Sequence, residues 1–228
     1  MGGDDALKQL SLRWMIASDA YKYTYNFSWL GRPIIQFPQD MIAMQEILWA
    51  VRPDLVVETG VARGGSLVYY ASLLHLLGGD GRVLGIDIEI RPPNRAEIER
   101  HPLAGRIDLI EGSSTAPATV SEVFRRARGK RVLVALDSNH THEHVLQELN
   151  AYSPLVRAGS YIVVFDTIVE DLPAGYFGDR PWNKGNNPKT AVREFLQGND
   201  RFAVDRAIED KLLISVAPGG YLRCTKDP

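Results

Sequence analysis

The sequence of 228 residues contains little cysteine, little net charge and no long apolar run. Its single cysteine, Cys224, excludes an internal disulfide, and we interpret it as a small packed residue rather than a catalytic thiol. The 26 basic and 28 acidic residues leave a formal net charge of −2. A balance this close to neutral argues against binding to nucleic acid or to a membrane surface.

The apolar stretches are strand-sized or interrupted by polar side chains, so we expect no transmembrane helix. Residues 1–20 also lack the apolar stretch of a signal peptide. They carry instead Asp4, Asp5, Lys8 and Arg13. These absences predict a cytoplasmic protein, and the length fits one α/β domain with a sizeable core.

Short β-branched runs alternate with helical patterns, which is typical of parallel βαβ units. Strands are predicted at 55–59, 82–87, 107–111, 131–137 and 160–166, and helices at 6–20, 40–51, 67–77, 117–127 and 191–196. A further helix carries the apolar stripe Val145, Leu146, Leu149 and Tyr152. Near the end of the chain, 202–205 and 212–216 predict two strands that could pair antiparallel. The expected fold is therefore α/β and Rossmann-like, with a mostly parallel central sheet, an antiparallel C-terminal strand and helices on both faces.

Two other segments have unusual compositions. Residues 167–188 are rich in Gly, Pro and Asn and are too long for an ordinary connection, which indicates a functional loop. Residues 21–29 are rich in aromatic side chains, which could cover a substrate or simply pack against the core or a partner subunit. We predict one domain overall, in which residues 1–52 form N-terminal helices and this aromatic segment, and residues 53–228 form the ligand-binding core.

Polar residues follow the predicted parallel strands, at the edge of the sheet where open α/β proteins bind ligands. After the first strand, a glycine-rich turn allows close backbone approach, and the next helix begins with free N–H groups. Asp87 ends the second strand, where a carboxylate can accept both hydroxyls of a ribose. An ordinary turn and helix-capping or loop roles for Asp87 and Ser114 are the structural alternatives. The candidate cofactor-binding residues are Glu58, Thr59, Gly60, Arg63, Gly64, Gly65, Ser66, Asp87, Ser113 and Ser114.

Two nucleoside cofactors compete for this site. A dinucleotide fingerprint needs three glycines spaced G-x-G-x-x-G, whereas here Val61 and Ala62 follow Gly60 and the glycine pair comes late. The carboxylate of Glu58 would repel a pyrophosphate, but it suits the amino and sulfonium cations of S-adenosylmethionine. The pattern therefore favours methyl transfer over nicotinamide chemistry.

Two carboxylates are expected near the transferable methyl group. Asp137 and Asp166 end two successive apolar strands, and such oxygen ligands suit a hard cation such as Mg²⁺. Helix capping by each Asp is the alternative. His140 is the best candidate for a general base, because a neutral imidazole can accept a hydroxyl proton. A zinc site formed with His142 and His144 is disfavoured because no cysteine supports it, and we expect those two histidines to face solvent.

The chain resembles class I methyltransferases, and in particular the family of cephalosporin hydroxylases and rhamnosyl O-methyltransferases. The resemblance spans about residues 26–216. It is carried by Pro38-Gln-Asp40, Arg52-Pro-Asp54, Val56-Val-Glu58-Thr-Gly60 with Gly64-Gly65-Ser66, Gly85-Ile-Asp87, Leu136-Asp137 with His140, and Asn187-Pro with Ala191.

The resemblance implies S-adenosylmethionine bound by Glu58, Gly60, Gly65, Ser66 and Asp87. It also implies a metal at Asp137 and Asp166, with His140 beside the acceptor hydroxyl and Asp137 counted among the catalytic residues. Relatives usually supply a further carboxylate or amide beside the second strand-end acid. In this chain that candidate ligand is Thr167, and Ser113 stands where relatives often have an acid.

The expected activity is metal-assisted O-methylation of a sugar hydroxyl, on a glycosylated natural product or a polysaccharide. The aromatic segment and the loop at 176–184 would close over the acceptor. A hydroxylase, a non-catalytic S-adenosylmethionine-binding partner and a nicotinamide oxidoreductase are the alternatives. Relatives imply a homo-oligomer, for which Trp29 and the N-terminal helix are the interface candidates.

Overall fold

The computed structural model describes residues 1–227, which contain nine strands and eight α-helices. The strands are β1 (Phe27–Trp29), β2 (Arg32–Ile34), β3 (Leu55–Thr59), β4 (Arg82–Asp87), β5 (Ile107–Glu111), β6 (Val132–Leu136), β7 (Tyr161–Val164), β8 (Phe202–Val204) and β9 (Tyr221–Cys224). The helices are α1 (Asp5–Asp19), α2 (Pro38–Val51), α3 (Gly65–Leu77), α4 (Pro92–Arg100), α5 (Pro117–Ala127), α6 (His142–Tyr152), α7 (Pro188–Gly198) and α8 (Arg206–Leu212).

Seven strands form one twisted sheet in the order β5-β4-β3-β6-β7-β9-β8. The strands β3 to β7 are parallel, and β9 runs antiparallel to both β7 and β8. From β3 the chain first builds outward through β4 and β5, and it then returns to build the other side from β6. The strand order therefore reverses between β3 and β6, which opens a crevice at their carboxyl ends. The predicted Rossmann-like fold is confirmed.

Alternate residues of the central strands face opposite layers of helices. Val56 belongs to a core cluster with α2 and α3, whereas its neighbour Val57 belongs to a cluster with α5, α6 and α7. Both faces of the sheet are thus covered. This double burial explains why β6 is apolar at every position instead of alternating.

The predicted strand at 212–216 is wrong. The helix α8 ends at Leu212, and the chain then turns through Leu213 at a left-handed φ of 59°. The amide of Val216 donates to Asp40 on α2 at 2.9 Å, and the Ser215 hydroxyl donates to the same carboxylate at 2.6 Å. Because the backbone of this apolar segment hydrogen-bonds to a side chain, it does not pair with a strand of the sheet. The antiparallel strand is β9, and β8 lies beside it.

Trp29 packs against α3 of the same chain. β1 and β2 form a hairpin through Leu30 and Gly31, both with positive φ, as a two-residue hairpin turn requires. The Trp29 indole N–H donates to the Ser72 hydroxyl on α3 at 2.9 Å, and its ring meets Tyr69 edge-on. Of the two interface candidates, only the N-terminal helix keeps large apolar side chains exposed. No helix within residues 1–227 is both long and apolar enough to cross a membrane.

Candidate active site

A cavity of about 780 Å³ opens at the carboxyl ends of the parallel strands. This volume lies within the range of about 300–1,000 Å³ that small-molecule sites occupy. Seven predicted site residues line it: Gly60, Asp87, Ser113, Ser114, Asp137, His140 and Asp166. A second cavity of about 40 Å³, between residues 33–36 and the glycine-rich turn, is lined by Gly60, Arg63, Gly65, Ser66 and Asp137. Glu58, Thr59, Gly64 and Thr167 line neither cavity.

The glycines of the turn are required by close contacts within the protein. Gly60 and Gly64 have φ values of 91° and 78°, which side chains rarely adopt. A Cβ at Gly60 would lie 2.0 Å from the backbone oxygen of Asp137, and one at Gly64 would lie 2.4 Å from Ile98. The turn is therefore pressed against the end of β6 on one side and α4 on the other.

Two side chains from outside the turn hold its backbone carbonyls. Arg32 on β2 donates from Nε to the carbonyl of Arg63 at 3.1 Å. Asn94 on α4 donates to the carbonyl of Ala62 at 2.9 Å. With its carbonyls engaged in this way, the turn is fixed before any ligand arrives. No motif in the sequence marks either contact.

Glu58 is fully buried at the end of β3. One carboxylate oxygen accepts from the Ser66 hydroxyl at 2.7 Å, and the other has no hydrogen-bond partner among the described residues. The buried hydroxyl oxygen of Thr59 is unpartnered as well. Burial raises the pKa of Glu58 to about 8. An unpaired buried carboxylate oxygen is unfavourable, so this position fits a ligand that brings a cationic donor.

Asp87 accepts hydrogen bonds from the turn at the end of β3. Its Oδ2 accepts from the amides of Val61 and Ala62 at 2.8 and 3.3 Å, and its Oδ1 accepts from Glu89 at 3.2 Å. A carboxylate has about four lone-pair positions, so acceptor capacity remains on the half-exposed group. Asp87 does not cap α4, since the residue before that helix is Arg91.

The serines after β5 differ in their surroundings. The hydroxyl oxygen of Ser113 lies 3.1 Å from that of Thr115. Ser114 is buried and donates to Glu148 on α6 at 2.5 Å. The capping role considered for Ser114 is excluded, because Ala116 occupies the cap of α5 and makes no side-chain bond there.

Asp137, His140 and Asp166 form a cluster at the edge of the cavity. One ligand atom from each lies within 4.8 Å of the others, and His140 Nε2 is 3.0 Å from Asp166 Oδ2. Burial and the neighbouring charge of Asp166 raise the pKa of Asp137 well above its usual value. Asp166 itself has a left-handed φ of 55°, a conformation that costs energy and clusters at functional sites. This donor set fits a divalent cation, which would relieve the repulsion between the carboxylates.

Neither metal candidate acts as a helix cap. Thr141 occupies the cap of α6, and Asp166 makes no capping bond to the turn of 3₁₀-helix that follows it. Thr167 does not extend the cluster. It is buried, and its hydroxyl donates to the carbonyl of Pro218 at 3.0 Å. The prediction of Thr167 as a metal ligand therefore has no support in the geometry.

The aromatic segment and the long loop both border the cavity. Tyr23 and Tyr25 line it from the N-terminal side. From the loop, Tyr176 donates to Asp19 at the end of α1 at 2.9 Å, which links the loop to the N-terminal helix. Trp182 packs edge-to-face on His140 with ring centroids 4.8 Å apart. The loop thus contacts the imidazole directly.

The expectation that His142 and His144 face solvent is wrong. His142 bonds to Thr190 and Glu194 on α7, at 2.8 and 3.1 Å. His144 lines the large cavity, and its Nε2 lies 3.1 Å from the Ser114 hydroxyl oxygen. Tight packing of α6 against its neighbours draws both rings inward, which residue spacing alone could not show.

The sheet order and a strand-end site of this kind are typical of class I methyltransferases. Residues 21–225 match the family Rhamnosyl O-methyltransferase/CmcI, and the chain belongs to that family. It is 34% identical over 219 residues to the rhamnosyl O-methyltransferase of Mycobacterium leprae, covering 91% of this chain and 90% of that protein. The corresponding enzyme of Mycobacterium tuberculosis H37Rv is 31% identical over 221 residues, with 91% and 84% covered.

Solved structures show the same fold. A structure of CmcI with Mg and SAM superposes with a TM-score of 0.60 at 22% identity, covering 88% of this chain and 77% of that one. The methyltransferase MycE, in complex with Mg, SAH and mycinamycin VI, gives a TM-score of 0.55 at 19% identity, covering 93% and 54%.

Proposed function

We propose that the chain is an S-adenosylmethionine-dependent O-methyltransferase that acts, with a divalent cation, on a hydroxyl of a sugar or glycosylated small molecule. The observation that carries the proposal is the cluster of Asp137, His140 and Asp166 at the edge of the strand-end cavity. The names of the mycobacterial relatives support the reaction and the sugar acceptor. The Mg and SAM or SAH in the CmcI and MycE structures support the cofactors.

The cofactor site is formed by the turn after β3 and the ends of β4 and β5. S-adenosylmethionine, when bound, supplies an electrophilic methyl group. The unpaired oxygen of Glu58 suits its ammonium group, and Asp87 keeps acceptor capacity for ribose hydroxyls. We assign the remaining contacts to Thr59, Gly60, Ser66, Ser113 and Ser114. Gly64 and Gly65 act through packing instead, since a Cβ on either would collide with protein atoms.

The chemical step is assigned to the acidic cluster. A divalent cation held by Asp137 and Asp166 would orient the acceptor oxygen and lower the pKa of its hydroxyl. His140 accepts the hydroxyl proton as general base. Since its Nε2 faces Asp166 at 3.0 Å, the nitrogen free to accept that proton is Nδ1. Trp182 keeps the ring in this orientation by packing against it.

The alternatives are not favoured. A non-haem iron hydroxylase would need two histidines and one carboxylate, whereas this cluster offers one histidine and two carboxylates. A nicotinamide enzyme would need a helix end facing a pyrophosphate, and the turn after β3 lacks the G-x-G-x-x-G spacing of such sites. A non-catalytic S-adenosylmethionine-binding protein is not favoured, because the named relatives are methyltransferases.

Calorimetry with S-adenosylmethionine and with NAD, each with and without Mg²⁺, tests the proposal. We expect S-adenosylmethionine to bind saturably and NAD not to bind. Methyl transfer to a rhamnoside acceptor should then depend on Mg²⁺. Binding of NAD without binding of S-adenosylmethionine would reject the methyltransferase assignment.

Two further expectations concern the surroundings of the site. We propose that residues 1–52 cover the acceptor, because Tyr23 and Tyr25 line the cavity. We also propose that the chain assembles as a homo-oligomer through its N-terminal helix, which exposes Leu10 and Trp14. Light scattering on the purified protein measures that assembly directly, and a monomer at all concentrations would reject it.

A further inference from the structure

A polar cluster lies beside the cavity, apart from the acidic metal candidates. Its centre is Glu148 on α6, which is fully buried. One carboxylate oxygen of Glu148 accepts from the hydroxyls of Ser114 and Ser138, at 2.5 and 2.7 Å. The same oxygen lies 3.3 Å from Nε2 of His144, one helical turn earlier. The other oxygen is buried and has no hydrogen-bond partner within residues 1–227.

This cluster joins three elements at the carboxyl edge of the sheet. Ser114 follows β5, Ser138 follows β6, and His144 and Glu148 share one face of α6. Ser114, Ser138 and His144 all line the large cavity. Tyr152 adds a hydrogen bond from its hydroxyl to the carbonyl of Ser114, which fixes the backbone there. A buried charged residue on the apolar face of a helix is unusual, so the cluster calls for a role beyond packing.

The contacts determine which nitrogen of His144 carries a proton. Ser114 uses its own hydrogen toward Glu148, so its oxygen can only accept from the imidazole. Nε2 of His144, which faces both of these acceptors, is therefore the protonated nitrogen. Nδ1 is left as an acceptor, and within the described chain it forms no hydrogen bond.

The inference rests on the proposed S-adenosylmethionine site. A ribose held by Asp87 would place its base on the side of the cavity that Ile88 and Ser114 line. The 6-amino group of adenine is a donor and needs an acceptor on the protein. We propose that His144, with its tautomer fixed by Glu148, accepts a hydrogen bond from this amino group and selects adenine over 6-oxopurines.

Calorimetry with two product analogues tests the inference. S-adenosylhomocysteine carries the 6-amino group, whereas S-inosylhomocysteine carries a 6-oxo group that would face the lone pair of Nδ1. We expect wild-type protein to prefer the adenosine compound by roughly 10- to 100-fold. In His144→Phe the adenosine compound should bind about tenfold more weakly, and the inosine compound should bind more tightly because no lone pair faces its 6-oxo group, so that the preference largely disappears.

Two variants accompany this measurement. His142→Phe is the matched control, because His142 lies on the same helix but bonds to α7 and does not line the cavity, and it should keep the wild-type preference. In Glu148→Leu the Ser114 hydroxyl loses its acceptor and can donate to Nε2 instead, which moves the proton to Nδ1. The preference should then fall or reverse in favour of the inosine compound.

The outcomes separate the two proposals. An unchanged preference in both His144→Phe and Glu148→Leu would overturn the role of His144 while leaving the methyltransferase assignment intact. Binding of neither analogue by the wild-type protein would overturn the proposed function and this inference with it.

Discussion

Replacing Gly65 by alanine is expected to separate the N-terminal hairpin from the cofactor site. Gly65 is the first residue of α3, and it lies against β2. A Cβ at this position would lie 2.2 Å from the carbonyl oxygen of Pro33 and 2.7 Å from Cα of Ile34. Both obstacles are backbone atoms, so no side-chain rotation relieves the overlap and β2 must move.

Two opposing effects set the magnitude. Forcing an extra methyl group into a packed contact costs about 1–3 kcal/mol. Alanine is the better helix former, by about 1 kcal/mol at most. The overlap is with backbone on two sides, so we place the steric cost at the upper end and expect a net loss of about 2 kcal/mol. For a chain of this length, that corresponds to a fall of roughly 4–8 °C in Tm.

Thermal and urea denaturation measure this loss against Gly198→Ala. Gly198 ends α7, has no atom within 4 Å of an added Cβ and lies outside the left-handed region, so that variant should be neutral or slightly stabilised. Gly65→Ala should also bind S-adenosylmethionine more weakly, because residues 33–36 line the small cavity beside the turn. Equal Tm values for the two variants would refute the close packing of β2 on α3.

Three other predictions follow from the site and the core. Asp137→Asn should raise Tm in the absence of metal, because it removes a buried carboxylate that Asp166 repels. It should also abolish any increase of Tm on adding Mg²⁺. An unchanged response to Mg²⁺ in a thermal-shift assay would contradict the metal assignment. His140→Gln should lower kcat by about 10²–10⁴-fold while S-adenosylmethionine affinity stays within about twofold, whereas the control His142→Gln should retain its turnover. Burial raises the pKa of Asp40 from 3.8 to about 6, so its neutral form is favoured in the folded state and the stability it contributes, on the order of 2–3 kcal/mol, is present below pH 4 and lost as pH rises to about 6. Asp40→Asn should remove that part of the pH dependence of the free energy of unfolding. The variant also loses a carboxylate oxygen that accepts from the Val216 amide, which lowers stability at every pH. Identical pH profiles for the two proteins would show that Asp40 does not titrate between pH 4 and 6.

The polar cluster around Glu148 has a signature in the sequence. The stripe Val145, Leu149 and Tyr152 predicts the buried face of α6, and Glu148 lies on that same face. A charge at such a position indicates a buried partner. What the stripe could not give is the identity of the partners, because Ser114 and Ser138 reach Glu148 from separate strand ends.

The class of fold and the positions of the strand-end acids follow from local patterns in the sequence. Continuous apolar runs such as β6 mark strands buried on both faces, and Asp87, Asp137 and Asp166 follow those runs directly. Parallel strands end at a common edge, so residues that follow them must converge whatever the details of packing. The glycines that follow β3 likewise identify the turn from the sequence.

Which side chains meet depends on contacts between elements that are distant along the chain. The apolar segment 212–216 has strand propensity, but Asp40 of a distant helix takes its hydrogen bonds. Thr167 turns away from the acidic cluster toward Pro218, and His144 turns inward toward Glu148. In each case the deciding partner lies many residues away along the chain, so short-range patterns contain no information about it. Sequence periodicity specifies which face of an element is buried, and contacts across the fold specify what each buried polar group bonds to.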